Sequence, residues 1–289
     1  MTFTLRYGIR YKEEKMKMHE YMIWQWIVFF YIYCFLGWCI ESTIVSVSRR
    51  KIINRGFLTG PFLPIYGFGA LSILLVTIPV RGNYVLVYIL GVVAATILEY
   101  VAGTVMELLF RVKYWDYSYK KIQFQGKVCL QSSLFWGILA LLLTETVHSL
   151  IEEIVLGMPD VTLKYIVIAI GLIMSIDVGI SARAAFDLKH TLEKLAFVKI
   201  EIEKLQVQLS KAKDSASEQL NKLKDGVVEK TMEETVNFKE RLKKLQLEKD
   251  GITFKMRGFL NRLYKSYPNA KSNRFNDVFK ELKERIKKK

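Results

Sequence analysis

The chain has 289 residues, 51% of them hydrophobic and 13% aromatic, and carries a formal net charge of +15. Residues 183–289 hold 27 of the 43 Lys and Arg against 16 acidic residues, while most of the apolar material lies in 21–182. This division excludes a single soluble core and indicates a membrane domain followed by a basic soluble tail.

In chain order, residues 1–20 form a tail bearing Arg6, Arg10, Lys12, Lys15 and Lys17. Five segments then have the roughly 20 mainly apolar residues that a membrane helix needs: Tyr21–Ser46, Pro61–Val80, Tyr84–Phe110, Val128–Ile151 and Val161–Ala182. The first is too long for a removable signal peptide and lacks a small-residue cleavage pattern. The expected fold is all-α, a polytopic bundle of about five spans over 21–182 with a cytoplasmic helical, coiled-coil-like tail.

Basic residues in short loops orient the spans. Arg49, Arg50, Lys51 and Arg55 follow span one, and Arg111, Lys113, Lys120, Lys121 and Lys127 follow span three. The loop after span two has only Arg81, and Lys164 stands alone near the link after span four. Both rich loops and the tail therefore face the cytoplasm of a cell membrane. Five spans put the N-terminus outside, which conflicts with the charge of residues 1–20. A start at Met16 or Met18 is the expected resolution, with translocation of the charged tail or a sixth span as alternatives.

From Leu188 the pattern becomes helical. Leu188, Leu195, Ile202 and Leu209 recur every seven residues, with Val198, Leu205 and Ala212 between them. Asp214–Ser217 weakens the seam, Asp225-Gly226 is a turn signal, and a second helical run covers about 228–247. These three heptads suit an antiparallel hairpin or a homodimer, and residues 183–250 form this coiled region. The end piece, 251–289, carries 12 Lys and Arg against three acids, interleaved with Tyr264, Tyr267, Phe275 and Phe279. Such a patch attracts anionic lipid headgroups, or is only the basic bias expected of a cytoplasmic end. It has no nucleic-acid recognition motif, so no nucleic-acid partner is expected.

Ionisable groups inside spans cost roughly 2.5–3.5 kcal/mol each at mid-helix and mark candidate sites. Here they are Glu41, Glu99, Glu107, Glu145 and Asp177. Glu41, Glu99 and Glu107 gather in the cytoplasmic half, with Gly103 between the last two. Arg55 is the nearest cation in depth. It opens the stretch Asn54–Gly67, in which Gly56, Gly60, Pro61, Pro64 and Gly67 imply irregular backbone that dips into the membrane and lines a cavity, with Pro61 in the first turn of the next helix. Tyr66 joins this expected polar cavity, and Asp116 in Tyr114–Ser118 is a candidate partner for Asn54 or Arg55. Cys34, Cys39 and Cys129 read as structural thiols, and His19, His148 and His190 form no ligand cluster, so no metal or cofactor is expected.

Phe35–Glu41, the string Asn54-Arg-Gly-Phe-Leu-Thr-Gly-Pro-Phe-Leu-Pro-Ile-Tyr-Gly67, Leu98–Tyr100, Trp115–Ser118, Gly126–Leu130 and Trp136-Gly137 follow one another in an order that resembles bacterial membrane proteins of the ABC-transporter type IV permease family. Tyr267-Pro-Asn269 and 274–283 resemble the end of the same family. One departure is Gln123, where the family usually has Asn. The resemblance implies transport, as a permease subunit working with a separate ATPase, since the chain has no Walker A loop.

Three function classes remain from the residues alone. The first is a transport-type protein that uses Glu41, Arg55, Tyr66, Glu99 and Glu107. The second is an intramembrane enzyme acting on a lipid or envelope precursor through Glu41, Glu99 and Asp116. The third is a scaffold that anchors the tail for a cytoplasmic partner.

Overall fold

A computed structural model describes residues 21–220 and 225–287. The expectations for residues 1–20, the start site among them, lie outside these. The helices are α1 (Ile23–Arg49), α2 (Pro64–Thr77, extended by a 3₁₀ turn to Val80), α3 (Tyr84–Phe110), α4 (Leu130–Leu142), α5 (His148–Leu156), α6 (Asp160–Leu220), α7 (Asp225–Ser266) and α8 (Asn276–Lys287). A π-helical turn, Leu143–Val147, fuses α4 and α5 into one 27-residue rod. Two short strands, β1 (Gln123–Phe124) and β2 (Val128–Cys129), form an antiparallel hairpin before α4.

Four helices are long and apolar enough to cross a membrane: α1, α3, the Leu130–Leu156 rod and α6. At 1.5 Å per residue a 27-residue helix is about 40 Å long, more than the roughly 30 Å of hydrocarbon. Against the expected five spans, the fifth apolar helix is shorter, Pro64–Val80. It starts one turn later than expected: Pro64, not Pro61, occupies its first turn, and residues 52–63 are irregular. Pro64 suits that position because its missing N–H would lack an intrahelical partner there anyway.

The chain forms two compact units. The first comprises the chain to Leu109, Lys113–Arg183 and the short segment Lys265–Ala270. Its main core joins Val28, Phe29 and Tyr33 of α1 to Leu74 of α2, Ile151 and Val155 of α5, and Leu163 and Val167 of α6. The other side of α2 meets α3 and α4, where Ile73, Ala95 and Ala140 pack together. The shortest apolar helix is therefore central to this unit.

The second unit comprises Phe110–Val112, Ala184–Tyr264 and Lys271–Lys289. Leu188, Leu192, Leu195, Val198, Ile202 and Leu205 are buried, as are Leu260, Leu263, Val278, Phe279 and Leu282. Burial fades at Leu209, where the apolar seam ends. Tyr264 donates to the Phe279 carbonyl at 3.2 Å, and Lys249 pairs with Glu281 at 2.7 Å. Asp214–Ser217 does not interrupt α6, and Gly251 does not end α7. Such residues cost at most about 1 kcal/mol each relative to Ala, less than a break and renucleation would.

Candidate functional site

The site begins where α2 begins. The Leu63 N–H donates to the Cys34 carbonyl at 3.0 Å. Cys34 lies 15 residues, about 22 Å, from the Arg49 end of α1, so residues 53–63 run alongside the half of α1 that follows Cys34. Irregular backbone survives beside apolar helices only when its polar groups find partners. Here Ile53 N–H donates to Ser46 Oγ at 3.0 Å and Arg55 N–H to Ser42 Oγ at 3.1 Å. Asp177 of α6 accepts from the Thr59 and Gly60 N–H groups at 2.9 and 2.7 Å. Leu58 is fully buried, against Cys34 and Met174.

Arg55 turns back to α1, with Nε 3.3 Å from Glu41 Oε2. Tyr66, in the first turn of α2, donates its hydroxyl to Glu41 Oε1 at 2.8 Å. Its ring lies against Gly37, where a Cβ would meet Tyr66 Cγ at 2.2 Å, so only glycine fits there. The guanidinium of Arg55 also donates to the Ser266 carbonyl and lies 5.0 Å from the Tyr267 ring centre. Ser266 Oγ donates to the Asn54 carbonyl at 2.8 Å, and Tyr267 meets Tyr114 edge-on. The segment around the buried Ser266 thus covers the loop that carries Arg55.

A second cluster surrounds Glu99, which is 6% exposed. Its carboxylate accepts from the Tyr117 hydroxyl at 3.0 Å, from Ser132 Oγ at 3.3 Å and from Trp136 Nε1 at 3.3 Å. Burial first, and the Glu99 charge second, push the Tyr117 hydroxyl above the ordinary phenol range, so it remains a donor. The Tyr66 and Trp136 rings meet edge to face, 5.6 Å between centres, and link the two clusters.

The hairpin positions Tyr117. Its N–H donates to the Gly126 carbonyl at 2.8 Å, and Gln123 Oε1 accepts from the Gly126 N–H at 2.6 Å. Gly126 has φ +69°, and a Cβ there would meet Asp116 Oδ1 at 2.3 Å. Lys127 reaches Glu107 at 3.4 Å and Thr104 Oγ1 at 3.0 Å. Gly103 faces Trp115 and Lys127, which lets the hairpin pack on α3.

A cavity of about 140 Å³ lies between α1, α2, α3 and the Leu130–Leu156 rod. Ile40, Ala70, Ile73, Ala95 and Leu139 contribute to its walls, with Tyr66, Glu99 and Trp136 among its few polar groups. The wall is thus mainly apolar rather than polar. Glu41, Asn54, Arg55, Glu107 and Asp116 do not line it, because their side chains pair with one another or with loop groups. Glu99 is held by Tyr117, Ser132 and Trp136, not by Arg55. Asn54 accepts from Trp38 Nε1 at 2.7 Å and donates to the Thr59 carbonyl, and Asp116 Oδ1 accepts from Ser118 Oγ at 2.6 Å, where a bond to Asp116 from Asn54 or Arg55 was expected. Of the expected loop residues, Gly60 meets Asp177, Gly67 packs on Cys34 and Phe30, and Gly56 and Pro61 lie in bends.

Ser132 and Trp136 were not among the expected site residues, although their spacing of four puts both on one helix face. His148, which forms no ligand cluster, is fully buried. Tyr33 bonds His148 Nδ1 at 2.7 Å, Tyr21 bonds Glu152, and Arg81 lies 3.7 Å from Glu152. Among the described residues no three His, Cys, Asp or Glu side chains gather as a metal site.

Comparison with curated proteins and with solved structures gave no match. The family model described as "Putative ABC-transporter type IV" matches residues 28–182, more than half of the chain. The chain belongs to the ABC-transporter type IV family.

Proposed function

We propose that the protein is the membrane-embedded permease part of a transport system. In this reading α2 is a fifth, shortened span, and its N-terminal end lies near the bilayer midplane beside Glu41 and Glu99. Discontinuous helices with buried carboxylates are the means by which many transporters build a midplane ligand site. The observation that carries the proposal is the Leu63–Cys34 hydrogen bond, which supports a half-length helix with an irregular approach.

The tail is cytoplasmic, and the membrane is the plasma membrane. The seam from Leu188 to Leu205 serves as a coiled coil, within the chain or between two copies. The basic end lies at anionic headgroups, and a separate ATPase subunit supplies nucleotide hydrolysis. Purified protein in sealed liposomes, with the co-encoded ATPase and ATP, is expected to accumulate a solute from a mixed panel. Glu99→Gln is expected to abolish that uptake. Failure of every solute to move, with and without the ATPase, would contradict the proposal.

A further inference from the structure

Two other acidic groups of the expected site have basic partners: Glu41 has Arg55 and Glu107 has Lys127. Among the described residues no Lys or Arg forms an ion pair with Glu99. Its three donors, Tyr117, Ser132 and Trp136, are neutral, so they orient the carboxylate without balancing its charge. Two aromatic rings, Tyr66 and Trp136, stand beside it and line the same cavity. Apart from Tyr33, the remaining wall is aliphatic.

We propose that this cavity binds a small lipophilic cation, its apolar body between α2, α3 and α4 and its charged head at Glu99 beside Tyr66 and Trp136. A carboxylate with aromatic rings is the chemistry that recognises alkylated ammonium groups. The size agrees, since an apolar cavity of roughly 150 Å³ accepts benzene. Anions are excluded by Glu99 itself. Strongly hydrated small cations gain little from a wall that has so few oxygen ligands. The inference rests on reading the protein as a membrane transport-type protein and names the ligand class of that site.

The test uses the full chain in lipid nanodiscs and two probes of one shape, each of about the bulk of benzene: ethyltrimethylammonium and its neutral isostere 2,2-dimethylbutane. Binding is measured by equilibrium dialysis against empty nanodiscs. Wild-type protein is expected to bind the cation saturably, about tenfold tighter than the isostere after correction for partition into lipid. Glu99→Gln, which keeps the shape and an acceptor oxygen, is expected to bring the two within about twofold. Gly69→Leu should weaken both, because a Cβ at Gly69 meets only Leu98, at 3.6 Å, so the larger side chain has room to enter the cavity.

No saturable binding of the cation to wild type, equal binding of both probes, or a preference that survives Glu99→Gln would each overturn the proposal. The wild-type ratio decides even if a variant does not fold. Uptake of an unrelated anionic solute without cation binding would remove this inference and leave the transport reading. Binding without uptake of any solute would do the reverse.

Discussion

Arg55 and Tyr267, 212 residues apart in the chain, are stacked in the first unit, with the guanidinium 5.0 Å from the ring centre. The same guanidinium holds Glu41 and the Ser266 carbonyl. A single cation thus joins α1, the irregular approach to α2 and a segment from near the end of the chain.

That junction makes Tyr267 a clamp. Tyr267→Ala is expected to release the Lys265–Ala270 segment, so that trypsin cuts at Lys265 several-fold faster than in wild type. Stability should fall by about 1–3 kcal/mol, since the cation–π contact and the ring contact with Tyr114 are lost together. Tyr267→Phe, which keeps the ring, should behave as wild type in both assays.

The approach to α2 depends on Asp177. Asp177→Ala leaves the Thr59 and Gly60 N–H groups without their acceptors and is expected to cost about 2–4 kcal/mol. Asp177→Asn keeps one acceptor oxygen and should cost less. Hydrogen exchange resolved to residues 53–63 checks this: protection of Thr59 and Gly60 should drop most in the alanine variant.

Much of this architecture could be read from the residues. The segment Tyr84–Phe110 appears with the same bounds, because apolar length alone defines a membrane helix. The Arg55–Glu41 contact follows from charge balance, since a carboxylate inside a span needs a partner and Arg55 was nearest in depth. The surroundings of Glu99 could not be read, because Tyr117, Ser132 and Trp136 come from a loop and another helix, and no local period encodes which helices meet. Asp177 was legible as an ionisable group inside a span but not its role, since backbone amides leave no mark in sequence. The continuous α6 was hidden by Asp214–Ser217, a local signal too weak to stop a long helix.

The contact of α2 with α1 depends on Gly37. Gly37→Ala places a methyl group 2.2 Å from Tyr66 Cγ and is expected to cost about 1–3 kcal/mol despite the better helix propensity of alanine. Gly179→Ala on α6, where a Cβ meets nothing within 4 Å, should be neutral or slightly stabilising. Paired thermal melts in detergent compare them directly.

The central claim is that Arg55 and Glu41 form a site rather than a topology signal, and a thermal double-mutant cycle tests it most directly. Their side chains are 24% and 30% exposed, so solvent screens the pair and Arg55→Ala should cost about 1–3 kcal/mol, less than a fully buried pair. Glu41→Gln in that background should recover part of the loss, with a coupling of about 1 kcal/mol. Arg50→Ala, five residues earlier on the same basic loop, should melt as wild type. If Arg55→Ala and Arg50→Ala both melt at the wild-type temperature, and the cycle shows no coupling, the site is wrong.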